Sequence, residues 1–270
     1  MHLVLTGATG LVGSGVLDAM LKTPAITKIS ILSRRPVQMA TDSQDPRVHV
    51  IIHKDFEKYD GVMDRLRNAT GVVWALGVSQ TNVGKECVFT PSPPLVMRKL
   101  LLTSIRDYIR ITKSYTLAAA SAFQAIATPS KPVNFVFVSG VGATFTPGMM
   151  TPLFGRVKGE TELALAEMRR RSPGFTAVSV RPAFVDWVGH EAVQKYIPPQ
   201  GVLMGGLGRV LHGMVSAGLF RASWSPTEML GRVLVDMAMG RWKGEEIKGR
   251  GVEVLDGGFG VVENVGCEEP

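Results

Sequence analysis

The stretch Met1-His2-Leu3-Val4-Leu5-Thr6-Gly7-Ala8-Thr9-Gly10-Leu11-Val12-Gly13 decides how the rest of the chain is read. Met1–Leu5 is a short apolar run. It passes into a glycine pattern, Thr6-Gly7-x-x-Gly10-x-x-Gly13, and the residues that follow have helical spacing, with Leu11, Val16, Leu17, Met20 and Leu21 able to share one face. Strand, glycine turn and helix in that order make a dinucleotide-binding unit. Gly7 lets the chain turn sharply out of the strand, Gly10 removes a side chain where backbone must approach a pyrophosphate, and Gly13 lets the helix pack close to the strand. The helix N-terminus then offers free N–H donors and a partial positive charge to the phosphates. Thr6, Thr9 and Leu11 complete this cradle. The competing reading, an ordinary βα turn with incidental glycines, is outweighed by the strand and helix that flank the motif.

Working outward, Lys28–Leu32 is a second strand, ending in Ser33-Arg34-Arg35-Pro36. An acidic residue here would bind a ribose 2′-hydroxyl and repel a 2′-phosphate. A small hydroxyl and two guanidiniums instead favour the 2′-phosphate of NADP, because arginine binds phosphate bidentately; the alternative is a pair of solvated loop arginines. Met39–Arg47 reads as a polar loop, and Val48–Ile52 as a third strand. Asp55 follows at its carboxyl end, placed either to accept a hydrogen bond from an adenine amine or to cap a helix over Glu57–Asn68. Val72–Leu76 is a fourth, buried strand ending at Gly77, where the backbone can pass close to a cofactor.

Cys87–Asp107, with its Pro91-Ser92-Pro93-Pro94 turn, is an irregular insertion before a helix over Tyr108–Ala127. Val133–Val138 is a fifth strand running into Ser139-Gly140-Val141-Gly142, a long helix extends through Arg171, and Thr176–Val180 is a sixth strand followed by Arg181-Pro182-Ala183. The repeating βα order implies an α/β fold with a doubly wound parallel sheet. After Val185 the sheet pattern stops. The chain thus reads as one domain: a core over 1–185 with the insertion at 87–107, a small substrate-side cap over 186–226, and a closing helix and edge strand over 227–270. Ser225 or Thr227 is the expected cap of that helix, which ends at Gly240.

In a chain of 270 residues, 45% hydrophobic and 20% charged content are those of a globular protein with a sizeable core. The net charge of +7 is spread along the chain, and Arg169-Arg170-Arg171 at a helix end complements the dipole, so no nucleic-acid partner is expected. Cys87 and Cys267 lie far apart and the five histidines are scattered, so neither a metal site nor a disulfide framework is expected. With a strand at its start, the sequence predicts no leader, and Gly201–Phe220 is too polar and glycine-rich for a spanning helix. A cytoplasmic protein acting on a small molecule is the expectation, with oligomeric state open.

TGATGLVG at 6–13, Ser33-Arg34-Arg35, Asp55-Phe56, Ala75-Leu76-Gly77, Ser139, Lys158 and Arg181-Pro182 fall in an order that resembles the short-chain dehydrogenase/reductase superfamily, in its atypical or extended branch. FGRVKGETE, SVRPA and the closing ENVG are similar to fungal relatives of the HIV Tat-interacting-protein-like oxidoreductases. The resemblance implies a Rossmann fold holding NADPH. It also implies that Ser139 orients a substrate carbonyl, that Lys158 holds the nicotinamide ribose, and that Phe56, Ala75, Leu76 and Pro182 lie along the cofactor. It fails at Cys87–Asp107. It also fails at the proton donor: where the family's YxxxK pattern has tyrosine, this chain has Phe154, and a phenyl ring carries no proton to give. Three readings follow: an NADP-dependent reductase with another donor (water, Lys158, Ser139, Tyr196, Tyr115 or His190), an NADPH-binding sensor or scaffold, or a non-redox enzyme such as an isomerase.

Overall fold

The computed structural model describes residues 1–77, 104–197, 224–242 and 251–264. β1 (His2–Thr6) leads through the glycine turn into α1 (Leu11–Leu21), followed by β2 (Lys28–Ser33), α2 (Gln38–Ser43), β3 (Val48–Ile52), α3 (Asp60–Leu66) and β4 (Gly71–Trp74). Residues 104–109 are helical and continue through a π-helical turn, Arg110–Ser114, into α4 (Tyr115–Gln124). Then come β5 (Val133–Val138), α5 (Leu153–Arg171), β6 (Phe175–Arg181), β7 (Phe184–Asp186), α6 (Glu191–Gln194), β8 (Trp224–Pro226), α7 (Thr227–Ala238), β9 (Val252–Leu255) and β10 (Phe259–Glu263).

Eight strands form one sheet in the order β3-β2-β1-β4-β5-β6-β10-β9, parallel except for the antiparallel β9 at its edge. The chain winds outward in one direction from β1 and returns to wind in the other from β4. The crevice at the carboxyl ends of β1 and β4 is therefore the topological switch point, where open α/β sheets bind ligands. Alternation along the strands sorts side chains onto two faces. Leu3, Leu5, Ile29, Ile31 and Val73 pack with α1 and α7; Val4, Leu32, Ile51, Val72, Trp74 and Phe135 pack with α3, α4 and α5. Helices on both faces explain the near-continuous apolar strands.

Several expectations need correcting. The stretch expected as a loop from Met39 holds the short helix α2, because Met39 and Ala40 turn into the core beside α1. The helix expected over Glu57–Asn68 is only Asp60–Leu66. Asp55 Oδ1 accepts the Glu57 N–H at 3.1 Å and folds a turn, which carries Phe56 and Tyr59 into the core before the helix begins. Strand pairing does not stop at Val185: it lies within β7, which runs parallel to β8 with the Phe184 and Trp224 rings stacked at 4.9 Å. The tail supplies a hairpin, turning at Gly257 and Gly258 with φ of +81° and +78°, whose second strand lies against β6. Neither Ser225 nor Thr227 caps α7. Pro226 holds that position, while Ser225 Oγ accepts the Ala183 N–H and Thr227 Oγ1 pairs with His190.

Of the expected insertion, residues 104–107 belong to the helix that continues into α4, and 87–103 lie outside the described residues, as do Cys87, Cys267 and Gly201–Phe220 of the cap. Among the described residues no helix is long and apolar enough to cross a membrane.

Candidate active site

The glycine turn is built as steric necessity requires. Gly7 has φ +72°, and a Cβ there would lie 2.3 Å from the carbonyl oxygen of Ala75, so the β1 and β4 ends meet backbone to backbone. A Cβ on Gly13 would lie 2.1 Å from the Gly7 oxygen, which is why α1 can start so close to its strand. Gly10 differs: its N–H donates to the Gly7 oxygen at 2.8 Å, and an added Cβ would approach only that oxygen, at 3.2 Å. A Cβ on Gly77 would meet nothing within 4 Å among the described residues. Among the described residues no side chain caps α1, so its first N–H groups remain available, and the buried Thr6 hydroxyl has no partner. An open cradle of free donors between two strand ends fits a dinucleotide pyrophosphate.

At the end of β2, Ser33 Oγ donates to the Arg35 carbonyl oxygen at 2.7 Å and folds the turn. That turn aims the Arg35 guanidinium at Thr9 Oγ1, 3.4 Å away, beside the glycine cradle. Arg34 is exposed and forms no ion pair among the described residues. Ala75 and Leu76 are partly buried at the crevice and Gly77 is exposed. The Phe56 ring is 1% exposed, edge-on to Trp74 and stacked on Tyr115, so only its backbone can face a cofactor.

Across the crevice, β5 delivers Ser139. Its N–H donates to the Val180 oxygen at 2.8 Å, it is 4% exposed, and its hydroxyl has no partner. α5 lies directly on the loop that follows: a Cβ on Gly155 would sit 2.3 Å from the Gly142 oxygen, and one on Gly159 1.9 Å from the Thr144 oxygen. This backbone contact brings Lys158, on the same helical turn, close enough for its ammonium to donate to the Ser139 carbonyl oxygen. Burial pulls the Lys158 pKa down to about 8, against the opposing pull of the Glu162 carboxylate. Pro182 accepts the Val141 N–H at 3.1 Å and pins the loop from the other side.

Phe154 begins this helix with its ring tip against the loop. Gly142 has φ +88°, and the place a Cβ would take there is 3.0 Å from Phe154 Cζ. The other proton-donor candidates are engaged elsewhere. Buried His190 spends both ring nitrogens at 3.0 Å, on Thr227 Oγ1 and on Asp18 Oδ2 of α1. Tyr196 donates to Asp42 at the surface, and Tyr115 stacks on Phe56 with the Arg110 guanidinium 5.4 Å from its ring centre.

Arg181, the last residue of β6, serves the fold: it pairs with the buried Glu162 at 2.6 Å and with Glu263 at 2.7 Å. Burial works against its charge, but the two carboxylates raise its pKa regardless. Glu162 also accepts from Ser179 at 2.7 Å. Sequence reasoning passed over Glu162 and the Gly155/Gly159 pair, although both were visible as four-residue spacings, from Lys158 and from each other, on one helix.

The fold is one shared with solved short-chain dehydrogenases/reductases. An oxidoreductase of that family from Burkholderia thailandensis superposes with a TM-score of 0.64 at 12% identity, over 97% of this chain and 90% of that one. MoeE5, solved with UDP-glucose and NAD, superposes with a TM-score of 0.59 at 14% identity, over 98% and 76%. No family model matches the chain. Botcinic acid biosynthesis cluster B protein 16 of Botryotinia fuckeliana is 43% identical over 151 residues, 56% of this chain and 94% of that protein. Leucinostatins biosynthesis cluster protein T of Purpureocillium lilacinum is 31% identical over 216 residues, 74% of this chain and 70% of that protein. The chain belongs to the family of these fungal biosynthesis-cluster proteins, built on the short-chain dehydrogenase/reductase fold.

Proposed function

We propose that the protein is an NADP(H)-dependent oxidoreductase that acts on a small carbonyl, hydroxyl or enone compound in a fungal biosynthetic pathway. The observation that carries this reading is the pairing of Lys158 with Ser139: a buried ammonium and an unpartnered hydroxyl, side by side at a strand end that faces the glycine cradle. The cofactor supplies a hydride. Gly7, Gly10, Gly13 and the start of α1 hold its pyrophosphate, Arg34 and Arg35 its 2′-phosphate, and Asp55 and the Phe56 backbone its adenine. Ser139 donates its hydroxyl proton in a hydrogen bond to the substrate oxygen and orients it. Lys158, in place of the family's tyrosine, gives up a proton to that oxygen as charge builds there. The names of the two relatives support a biosynthetic setting, and the charge on Arg34 and Arg35 supports NADP over NAD.

The test is NADPH oxidation across a panel of ketones, aldehydes and enones, with wild type and Lys158→Ala. Turnover that depends on Lys158 supports the reading; tight NADPH binding without turnover defeats it. One observation favours a second reading, a non-catalytic NADPH sensor: Phe154 has no proton and its tip is packed on Gly142. Binding without turnover is the result that reading expects.

A further inference from the structure

The loop that joins Ser139 to the helix of Lys158 carries reactive side chains that the proposed mechanism does not use. Its tip is the turn Gly148-Met149-Met150-Thr151. The turn is closed from both sides: the Thr151 N–H donates to the Gly148 oxygen at 3.2 Å, and the Gly148 N–H donates to Thr151 Oγ1 at 2.8 Å. The Arg156 guanidinium, from the first turn of α5, donates to the same Gly148 oxygen at 3.2 Å. None of these bonds involves a methionine. Met149 and Met150 are the two central residues of the turn, and they stand 97% and 93% exposed.

No other large apolar side chain among the described residues is so open; the next, Ile52, is 50% exposed. The remaining described methionines are sheltered to different degrees. Met20, Met39, Met237 and Met239 are buried in the core beside α1 and α7. Met63 and Met168 are half-buried against the core on the other face of the sheet, and Met229 is half-buried on α7. Met1 is 38% exposed. Met97, Met204 and Met214 lie outside the described residues. A thioether is a soft nucleophile that needs no deprotonation, so the access of an oxidant to its sulfur decides how fast it reacts.

We propose that Met149 and Met150 are a site of reversible oxidation by hydroperoxides, converted to sulfoxides ahead of the other described methionines and without loss of the fold. A sulfur lone pair attacks one peroxide oxygen. The S–O bond forms as the O–O bond breaks, and the departing oxygen takes up a proton to leave as water or an alcohol. Sulfur is oxidised and the peroxide reduced. The product makes two apolar side chains polar, and enzymes that reduce methionine sulfoxide reverse it. The fold tolerates the change because Gly148, Thr151 and Arg156 hold the turn. Behind it, backbone seats α5 on the same loop: a Cβ on Gly155 would lie 2.3 Å from the Gly142 oxygen. Oxidation therefore alters the surface of this loop and leaves the pairing of Lys158 with Ser139 in place.

The experiment treats the full chain with hydrogen peroxide, folded and in urea, and follows each methionine by peptide mass spectrometry. In the folded protein the peptide that carries Met149 and Met150 should oxidise at least about tenfold faster than those that carry Met20, Met39, Met237 and Met239, and the difference should vanish in urea. Methionine sulfoxide reductase should return that peptide to its starting mass. Met149→Leu/Met150→Leu, which keeps the apolar bulk and removes the sulfur, should lose the fast phase of oxygen uptake. Met149→Gln/Met150→Gln, polar like the sulfoxides, should melt within a few degrees of wild type. The wild-type peptide map decides the matter even if a variant does not fold. A pair oxidised no faster than the buried methionines of the folded chain overturns the proposal, as does a melting temperature that falls in step with oxidation of the pair.

Discussion

The Lys158 ammonium donates to the backbone carbonyl oxygen of Ser139, the residue whose own hydroxyl is buried without a partner. The cation is thus tied to the loop through main chain, and the Ser139 hydroxyl stays unpartnered among the described residues. If Lys158 delivers the proton, it must be charged to do so. Burial lowers its pKa to about 8, so kcat/KM should be flat below that pH and fall about tenfold per unit above it. Lys158→Arg keeps the charge but holds its proton too tightly to release it, so Lys158→Arg and Lys158→Met should both lose on the order of 10²–10⁴ in rate. Stability moves with the same proton. The folded pKa lies below the unfolded one, so the penalty for the buried ammonium is complete below pH 8 and relieved as pH rises toward 10.5. Lys158→Met should melt higher than wild type at pH 7, with the gap narrowing by pH 10 in thermal scans.

Phe154→Tyr should restore little. A hydroxyl on Cζ would be attached to the ring atom that already lies 3.0 Å from the Cβ position of Gly142, and so would press on that turn. The expected gain in NADPH oxidation is less than about tenfold, well short of the 10²–10⁴ that a positioned acid supplies. A gain of the full size would show that the ring swings away from Gly142 into line with Ser139.

The doubly wound sheet and the cradle were legible because each rests on a local rule. Glycines at 7 and 13 are forced by backbone contacts between neighbouring segments, and buried parallel strands have a composition of their own. What escaped the sequence depends on partners distant in the chain. His190 meets Asp18 across 172 positions, and Arg181 meets Glu263 across 82. The β7–β8 pair joins Phe184 to Trp224 in a stretch without strand periodicity. At Phe154 the sequence names the lost phenol, but the packing of its ring tip depends on the left-handed turn at Gly142.

Two glycine substitutions should separate binding from folding. Gly10→Ala places a methyl group 3.2 Å from the Gly7 oxygen, a contact that a shift of a few tenths of an ångström relieves, so the protein should melt within a few degrees of wild type while its NADPH affinity falls at least about tenfold if the pyrophosphate lies on this turn as proposed. Gly13→Ala places a methyl group 2.1 Å from the Gly7 oxygen and must push α1 off the sheet. It should lose both affinity and on the order of 2–4 kcal/mol of stability. Fluorescence titration and urea unfolding of both variants check this.

Arg34→Asp should invert the cofactor preference. A carboxylate at the end of β2 accepts from a ribose 2′-hydroxyl and repels a 2′-phosphate. The ratio of NADPH to NADH dissociation constants, measured by protein fluorescence, should rise by at least about 100-fold, with Arg35→Gln having a smaller effect because its guanidinium is partly engaged by Thr9. An unchanged ratio would remove these arginines from the 2′-phosphate site.

Glu162 joins stability to chemistry, and a pair of substitutions can take them apart. It is fully buried, holds Arg181 and Ser179, and through its charge supports the ammonium of Lys158 one helical turn away. Glu162→Gln leaves Arg181 buried with only the half-exposed Glu263 as its carboxylate partner, so the loss of stability should approach the 3–5 kcal/mol (on the order of) typical of a broken buried pair. The same change withdraws the negative charge that raises the Lys158 pKa, so the alkaline limb of the rate profile should move to lower pH. Glu263→Gln is the control. It removes the other carboxylate of Arg181 at a half-exposed position that takes no part in the Lys158 shift, and should lower stability by about 1 kcal/mol with the limb unmoved. Urea unfolding and pH–rate profiles of both variants give the answer. Coincident limbs in the two would mean that the charge of Glu162 does not reach Lys158.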